Sequence, residues 1–153
     1  MSLPSGPTGP DGGASPPASL STEAVLHGGL VTALLCGPLA LANWAAQAGR
    51  SEPSAGVAAV FSLLILLSAG VGGWRAGSRA PDRPLPNGAA AAAAGYLAVQ
   101  AVGLVVAAAS GGLDLGTVVG VAYLAVLMAT CGMIGAAIGH RRAGAAANPG
   151  GSS

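Results

Sequence analysis

The sequence carries very little charge, since Asp, Glu, Lys and Arg together make up only 7% of its 153 residues. A water-soluble domain covers its surface with roughly 25% charged residues. This chain has too few charges to do so, which excludes a soluble globular domain and makes lipid the expected solvent for most of its surface. Aromatic residues are also scarce, at 3%, so small and aliphatic side chains must provide most of the lipid-facing surface.

Lysine is absent, and all six basic residues are arginines, with a formal net charge of +1 for the whole chain. A chain without a basic patch lacks the electrostatic footprint of a nucleic-acid-binding protein, so no nucleic-acid partner is expected. Exclusive use of arginine is typical of GC-rich genomes, which favours a bacterial protein. The first residues lack a basic segment before the first apolar run, so no signal peptide is expected.

Sequence motifs for catalysis and for cofactor binding are also missing. The chain contains no HExxH, no Ser/His/Asp set and no phosphate-binding loop. Small four-span exporters driven by protons need a carboxylate inside the membrane, whereas Glu23 lies only at the edge of an apolar segment. Cys36 and Cys131 both lie in apolar segments, where thiols usually act as small apolar side chains. We therefore expect a non-enzymatic protein with no cofactor, no metal site and no disulfide.

Four apolar segments are present between two tails of low hydrophobicity. The segments cover about residues 24–48, 56–74, 88–110 and 116–139, and none has a charged residue in its interior. About 20 residues of helix, rising 1.5 Å each, cross the ~30 Å hydrocarbon core. The sequence therefore predicts an all-α membrane protein with a transmembrane domain over residues 24–142. The tails, residues 1–23 and 143–153, are predicted to be disordered.

The connections between the apolar segments predict how the helices are paired. Residues 49–55 and 111–115 are short loops, and short loops join neighbouring antiparallel helices. The predicted architecture is therefore two tandem αα-hairpins that form a four-helix bundle. Residues 75–86 form a longer connection, and the two prolines after its last arginine are expected to keep it non-helical.

The placement of arginine predicts the orientation in the membrane. The connection between the hairpins and the C-terminal flank are rich in arginine, while the first loop has one arginine and the third loop has none. Positively charged residues favour the cytoplasmic side. Four spans place these two arginine-rich segments on the same side, so both termini are predicted to be cytoplasmic in a bacterial plasma membrane. The arginines concerned are Arg75, Arg79, Arg83, Arg141 and Arg142.

A glycine pattern occurs twice, near the ends of the second and fourth spans. Residues 70–79 read GVGGWRAGSR and residues 132–141 read GMIGAAIGHR, with glycine first, fourth and eighth and arginine tenth. Offsets of three and seven place the glycines on one helix face, and glycine lets helices approach closely in lipid. Six glycines are therefore predicted to mediate helix packing: Gly70, Gly73, Gly77, Gly132, Gly135 and Gly139.

The helix starts repeat as well, with LHG at residues 26–28 and PNG at residues 86–88. Together the two anchors predict a duplicated hairpin, with the copies related by an axis along the membrane normal and the second and fourth spans near it. Compositional coincidence is the alternative, because 26 of the residues are glycine. If the glycine face is a packing seam, Val71 and Ala136 lie off it and should tolerate leucine.

Each predicted hairpin begins with His-Gly or Asn-Gly and ends with G-x-x-G-x-x-x-G-x-R. In this pattern the chain resembles uncharacterised small four-span membrane proteins of Gram-positive bacteria. The resemblance covers Ala24 to Arg142. It implies the four-span topology. Because that group has no established activity, it implies no function.

Four polar residues are candidate contacts. Asn43 and Gln100 lie inside the first and third spans, where an amide either hydrogen-bonds across helices or contacts a substrate. His27 and His140 lie near the cytoplasmic ends, where they are either interfacial residues or a site that responds to protons or headgroups.

Three functions fit this sequence. The first is a protein that acts through helix–helix contacts, either with itself as a homo-oligomer or with a membrane partner. The second is a small-solute transporter or channel subunit assembled as an oligomer, which needs a polar path at mid-membrane that only Gln100 and Asn43 could provide. The third is a lipid-headgroup binder that uses the cytoplasmic arginines.

Overall fold

The computed structural model describes residues 19–52 and 54–147, the last two by their backbone alone, and these residues form four α-helices. All four helices are long and apolar enough to cross a membrane. The predicted all-α, four-helix membrane fold is therefore confirmed, and the chain is a multi-pass membrane protein. The tail residues 1–18 and 148–153 lie outside the described part. The helices are α1 (Thr22–Gln47), α2 (Ala55–Arg79), α3 (Pro84–Ala109) and α4 (Leu115–Ala147).

Local sequence explains where the helices begin and end. Ser21, Ser54 and Asp114 precede α1, α2 and α4, and each side chain accepts a hydrogen bond from a backbone N–H three residues further on. Such bonds satisfy donors that have no partner inside the helix. Beyond α1 and α3, Gly49 and Gly111 adopt φ angles of 77° and 73°. This left-handed conformation ends a helix and is accessible mainly to glycine.

Three helix ends extend well beyond the boundaries that the sequence predicts. The connection predicted at residues 75–86 shrinks to residues 80–83, because α2 continues to Arg79 and α3 begins at Pro84. Proline is compatible with the first turn of a helix, so these prolines open α3 where they were expected to prevent it. Helix α4 continues to Ala147, into the segment predicted to be disordered from residue 143, because alanine has the highest helix propensity.

The four helices form a diamond in cross-section. Helices α2 and α3 contact each other at its centre, and α1 and α4 each pack against both of them. Helices α1 and α4 make no contact with each other along their described residues. A two-fold axis relating the hairpins would make the α2–α3 and α1–α4 pairs equivalent. The predicted axis along the membrane normal therefore does not describe the whole bundle.

Burial divides the bundle into two halves. The closed half (residues 24–36, 68–80, 87–96 and 128–139) holds the starts of α1 and α3 and the ends of α2 and α4, and it contains every buried residue within the described chain. The open half (residues 37–48, 55–67, 97–109 and 115–127) contains none. The buried core is built mainly from alanine and glycine, while leucine and valine lie mostly on the outside. Lipid accepts large apolar side chains, so this distribution suits a membrane protein.

Helices α2 and α4 pack backbone to backbone along a seam in the closed half. A Cβ atom added at Gly73 would overlap the backbone of Gly132, and one added at Gly135 would overlap the backbone of Gly70. Gly73 and Gly135 are equivalent positions, 62 residues apart, and so are Gly70 and Gly132. Each of the two contacts is therefore the repeat of the other. The seam is thus locally symmetric although the whole bundle is not.

The packing inside each hairpin also repeats. In the first hairpin Gly28 lies against Gly72, and in the second Gly88 lies against Gly132. Both members of the contact shift by 60 positions, which is the spacing of the helix starts and differs by two from the spacing of the glycine ladders. Gly132 therefore corresponds to Gly72 in this contact and to Gly70 in the seam. Duplication of the hairpin remains a prediction, and repeated contacts are what such an event would leave behind.

Ala136 does not behave as the sequence predicts. Its side chain is fully buried and lies against both Gly77 and Gly88. The expectation that it tolerates leucine is therefore wrong, because an enlarged side chain would meet two neighbouring helices. Val71 is 40% exposed, in agreement with its predicted position off the seam.

Candidate functional site

A cavity of about 270 Å³ lies between the four helices where the closed half meets the open half. Side chains from all four helices line it, and most of them are apolar. Small-molecule sites in proteins usually measure about 300–1,000 Å³, so this cavity suits a small ligand. Its polar lining residues are Cys36, Asn43, Ser62, Tyr96 and Gln100.

The floor of the cavity consists of buried side chains at the edge of the closed half. Met128 is fully buried, and Cys36 and Tyr96 are only 2% and 4% exposed. They pack in one cluster with Ala69 and Ala92. The small size of these two alanines brings the helices close enough to seal the space beneath the cavity.

Gln100 and Tyr96 form a hydrogen-bonded pair on α3. They lie four residues apart, on one face of the helix, and the Gln100 Nε2 donates to the Tyr96 Oη at 2.8 Å. Because the Tyr96 oxygen accepts this bond, its own hydrogen can be donated to a molecule in the cavity. Gln100 is a sequence-predicted candidate, whereas Tyr96 is not. Its position one helical turn before Gln100 is the signal that could have identified it.

Asn43 reaches the same cavity from α1. Its Oδ1 accepts a hydrogen bond from the Nε2 of Gln47 at 2.9 Å, so this bond lies within α1 and does not cross between helices. The Nδ2 of Asn43 is left as a donor. The Oε1 of Gln47 is buried and has no hydrogen-bond partner among the described residues.

A thiol–hydroxyl contact joins α1 to α2 at the floor of the cavity. The Cys36 Sγ lies 2.8 Å from the Ser68 Oγ, and the Ser68 Oγ lies 2.6 Å from the carbonyl oxygen of Ile65. The Ser68 hydroxyl and the Cys36 thiol both reach the carbonyl oxygen of Ile65, the thiol at 4.0 Å. The interpretation of Cys36 as a purely apolar side chain misses this bond. Cys36 and Cys131 are both free thiols.

The cavity lining carries no Asp, Glu, Lys or Arg. In residues 19–52 and 54–147, no three His, Cys, Asp or Glu side chains come together as they would to hold a metal ion. A charged solute would lose its hydration without gaining a counter-charge, which is costly inside a membrane. The cavity therefore suits an uncharged molecule that forms hydrogen bonds.

The two predicted histidines lie outside this site and apart from each other. His27 and His140 are both exposed, and they belong to α1 and α4, the two helices that are not in contact. Of the four predicted polar contacts, the structure brings together only Asn43 and Gln100.

The predicted packing glycines lie in the closed half. A Cβ atom would meet backbone or side-chain atoms of another helix within 3 Å at five of them, whereas at Gly70 the nearest such atom is 4.0 Å away. The five are Gly73, Gly77, Gly132, Gly135 and Gly139. Gly28, Gly29, Gly72, Gly88 and Gly95 are tight as well, although the ladder pattern does not include them.

No protein-family model matches the chain, and no curated protein or solved structure is significantly similar to it. The resemblance to four-span proteins of Gram-positive bacteria therefore stays a prediction.

Proposed function

We propose that the protein is a non-enzymatic membrane protein that binds a small uncharged solute, as a subunit of a transporter or channel. One observation carries this proposal. Asn43 and Gln100, the two amide residues predicted as polar contacts inside spans, line the same cavity from different helices. A solute path needs polar groups that face one space within the spans, and two amides that line one cavity from different helices support such a path.

The chemistry of the lining defines the solute class. Tyr96 and Asn43 each have a hydrogen to donate, and the walls between them are apolar. A typical hydrogen bond contributes a net ~0.5–1.5 kcal/mol, so two or three of them orient a ligand without binding it tightly. We expect a small amphipathic molecule with carbonyl or hydroxyl oxygens, bound weakly enough to leave again.

The closed half determines what transport would require. Below the cavity the helices touch through glycine backbones and through the cluster around Met128. Passage to the other side of the membrane therefore needs the glycine contacts to separate. Under this proposal, the close packing of the described arrangement is a state that is closed on the side of the glycine contacts.

The first experiment tests whether water enters the cavity. In a chain without its native cysteines, a cysteine replaces Ser62, which is exposed and lines the cavity, and a matched variant carries it at Leu64, which is exposed but does not line it. A hydrophilic thiol reagent needs a hydrated thiolate. We expect it to label S62C much faster than L64C in proteoliposomes. Equal, slow labelling of both would contradict the proposal.

The second experiment identifies the solute class. A panel of small neutral amides, alcohols and esters is screened for stabilisation of the purified protein against heat, since a ligand that binds only the folded state stabilises it. The stabilisation should disappear in a variant with Tyr96→Phe and Gln100→Leu and persist in Thr130→Val, whose hydroxyl bonds within α4 and is exposed. Stabilisation that is unchanged in the double variant would place the binding elsewhere.

Self-association through α4 is a second candidate function, favoured by one specific observation. Gly116 and Gly120 form a GxxxG motif that is not covered by another helix: a Cβ atom at Gly120 would meet nothing within 4 Å, and one at Gly116 would meet only Asp114. The GxxxG motifs formed by Gly73 and Gly77 and by Gly135 and Gly139 are packed inside the closed half. An uncovered GxxxG can bring two helices into close contact in lipid.

This second candidate is tested by the oligomeric state in liposomes. Replacing Gly120 by isoleucine should lower energy transfer between labelled copies, because the side chain separates the helices. Ala122→Ile is the matched control on another face of the exposed part of α4. Unchanged energy transfer in the Gly120 variant would exclude this face as the contact.

A further inference from the structure

A second concave surface lies on the outside of the bundle, along the seam between α2 and α4. This groove measures about 470 Å³ and is lined from Leu63 to Trp74 on α2 and from Cys131 to Arg142 on α4. Each wall is about 16 Å long at 1.5 Å per residue. One leaflet contributes about half of the ~30 Å hydrocarbon core, so the groove is as long as one leaflet is thick.

The glycine ladders give this groove its depth. Gly70 and Gly135 are among its lining residues, and neither has a side chain to fill it. A Cβ atom added at Gly70 would have its nearest contact at 4.0 Å, so the space above this glycine is open. The rest of the lining is almost entirely apolar, which suits a hydrocarbon chain.

The groove is positively charged at one end. The Cζ atoms of Arg75 and Arg142 lie 5.8 Å and 5.9 Å from the centre of the Trp74 ring. In the described part of the chain neither guanidinium has a carboxylate within ion-pair distance. Two positive charges held at one ring repel each other until an anion neutralises them, and guanidinium groups match phosphate geometry. Tryptophan and arginine at this position are typical of the headgroup level.

We propose that this groove binds one anionic phospholipid, with an acyl chain between α2 and α4 and its phosphate at Arg75 and Arg142. The apolar walls accept the chain of any phospholipid, and the two arginines select for negative charge. The site faces the surrounding lipid, whereas the solute cavity lies between the helices. The inference is therefore independent of the proposed solute binding.

The experiment uses quenching of Trp74 fluorescence. Trp44→Phe leaves Trp74 as the single tryptophan of the full chain. The purified protein is placed in phosphatidylcholine vesicles that contain either brominated phosphatidylglycerol or brominated phosphatidylcholine. Bromine on an acyl chain quenches an indole that it touches. We expect phosphatidylglycerol to bind about 25-fold more tightly, because each of the two arginines at a charged membrane surface contributes about five-fold.

Matched variants assign the preference to this site. Arg75→Gln and Arg142→Gln should each lower the preference about five-fold, and the double variant should lose it. Arg79→Gln is the control, because Arg79 is exposed near the end of α2 but neither lies over the Trp74 ring, as Arg75 does, nor lines the groove, as Arg142 does. Gly70→Leu should fill the groove and reduce quenching by both lipids while both arginines remain.

Three results would overturn the proposal. Equal quenching by the two lipids would show that the groove does not select for charge. An equal loss in Arg79→Gln would show only general attraction to an anionic surface. Quenching by neither lipid, together with Cys131 disulfides between copies under oxidation, would show that a second copy of the chain occupies the groove.

Discussion

The closed and open halves of the bundle are formed by the same four helices, yet they pack in opposite ways. In the closed half, added Cβ atoms at Gly73 and Gly135 would overlap a neighbouring backbone. In the open half, added Cβ atoms at Gly37, Gly56 and Gly120 would meet nothing within 4 Å. Lipid provides no hydrophobic drive for helix association, so close packing needs small residues that face each other. Glycine content alone does not produce close packing, because the glycines must be opposite one another.

This difference also explains where the cavity forms. The side chains that project inward become larger at the boundary between the halves, where Tyr96 and Met128 follow the region packed by alanine and glycine. Beyond that boundary the helices no longer touch closely enough to bury a residue. Polar side chains at this level are therefore left facing a space between helices.

The largest expected effect comes from filling the closed seam. Gly73→Leu and Gly135→Leu should each destabilise the protein by about 3 kcal/mol or more, because overpacking a tight core costs about 1–3 kcal/mol and here the obstacle is backbone. Gly56→Leu, in the open half, should change stability by less than about 0.5 kcal/mol. Thermal unfolding in detergent measures all three. Similar losses in all of them would remove the distinction between the halves.

A smaller loss of stability is expected when a side chain that is already present in the closed half is enlarged. Ala136→Leu should cost about 1–3 kcal/mol, because Ala136 is fully buried against α2 and α3. Val71→Leu should be nearly neutral, because Val71 faces the lipid-exposed side. The same unfolding assay compares them. A tolerant Ala136 would mean that the closed half can adjust its helix spacing.

The sequence predicts the four spans because apolar length is a local property. It also predicts a glycine face on α2 and α4, since the spacing of residues along a helix determines the side of the helix on which they lie. It does not predict that α3 shares the packing of α4, and for that reason Ala136 is assigned to the wrong surface. Such a contact depends on the rotation of each helix about its own axis, which the tertiary arrangement determines.

The candidate cavity was predictable in part. The sequence identifies Asn43 and Gln100 because amides are rare inside spans. It cannot show that both reach one cavity, since α1 and α3 are far apart in the chain. The sequence does not single out Tyr96, because one tyrosine inside an apolar span carries little information without its partner Gln100. The proximity of Arg75 and Arg142 likewise depends on the seam between α2 and α4.

A moderate loss of stability is expected when a buried amide in the closed half is replaced by an apolar side chain. The Asn87 Oδ1 accepts a hydrogen bond from the backbone N–H of Ser21, and its Nδ2 donates to the carbonyl of Arg83, both at 2.8 Å. Asn87→Leu should cost about 1–3 kcal/mol, because it leaves the backbone N–H of Ser21 without its partner, while the Arg83 carbonyl still accepts from the backbone N–H of residue 87. Asn43→Leu, in the open half, should cost less than about 1 kcal/mol, since Asn43 bonds only to Gln47 within α1. Equal costs in the unfolding assay would indicate that polar groups matter equally in both halves.

The smallest effect is expected at the end of the open half, where Asp114 caps α4 in full contact with water. Hydrogen bonds from the backbone and side chain of Thr117 hold the pKa of Asp114 below its usual value. A lowered pKa in the folded state means that the ionised form stabilises the fold above the usual carboxyl pKa of about 3.9. That stabilisation is lost as the pH falls through the lowered value.

Asp114→Asn tests this cap, because asparagine still accepts the capping bond but does not ionise. We expect the wild-type chain to have the slightly higher unfolding temperature at pH 7 and the difference to vanish near pH 2. All other carboxyl groups are common to both proteins, so comparing them isolates Asp114. A difference that stays constant with pH would show that the charge of Asp114 contributes nothing. The open end of α4 would then be held by hydrogen bonding alone, as the glycine seams at its other end are held by close packing without charge.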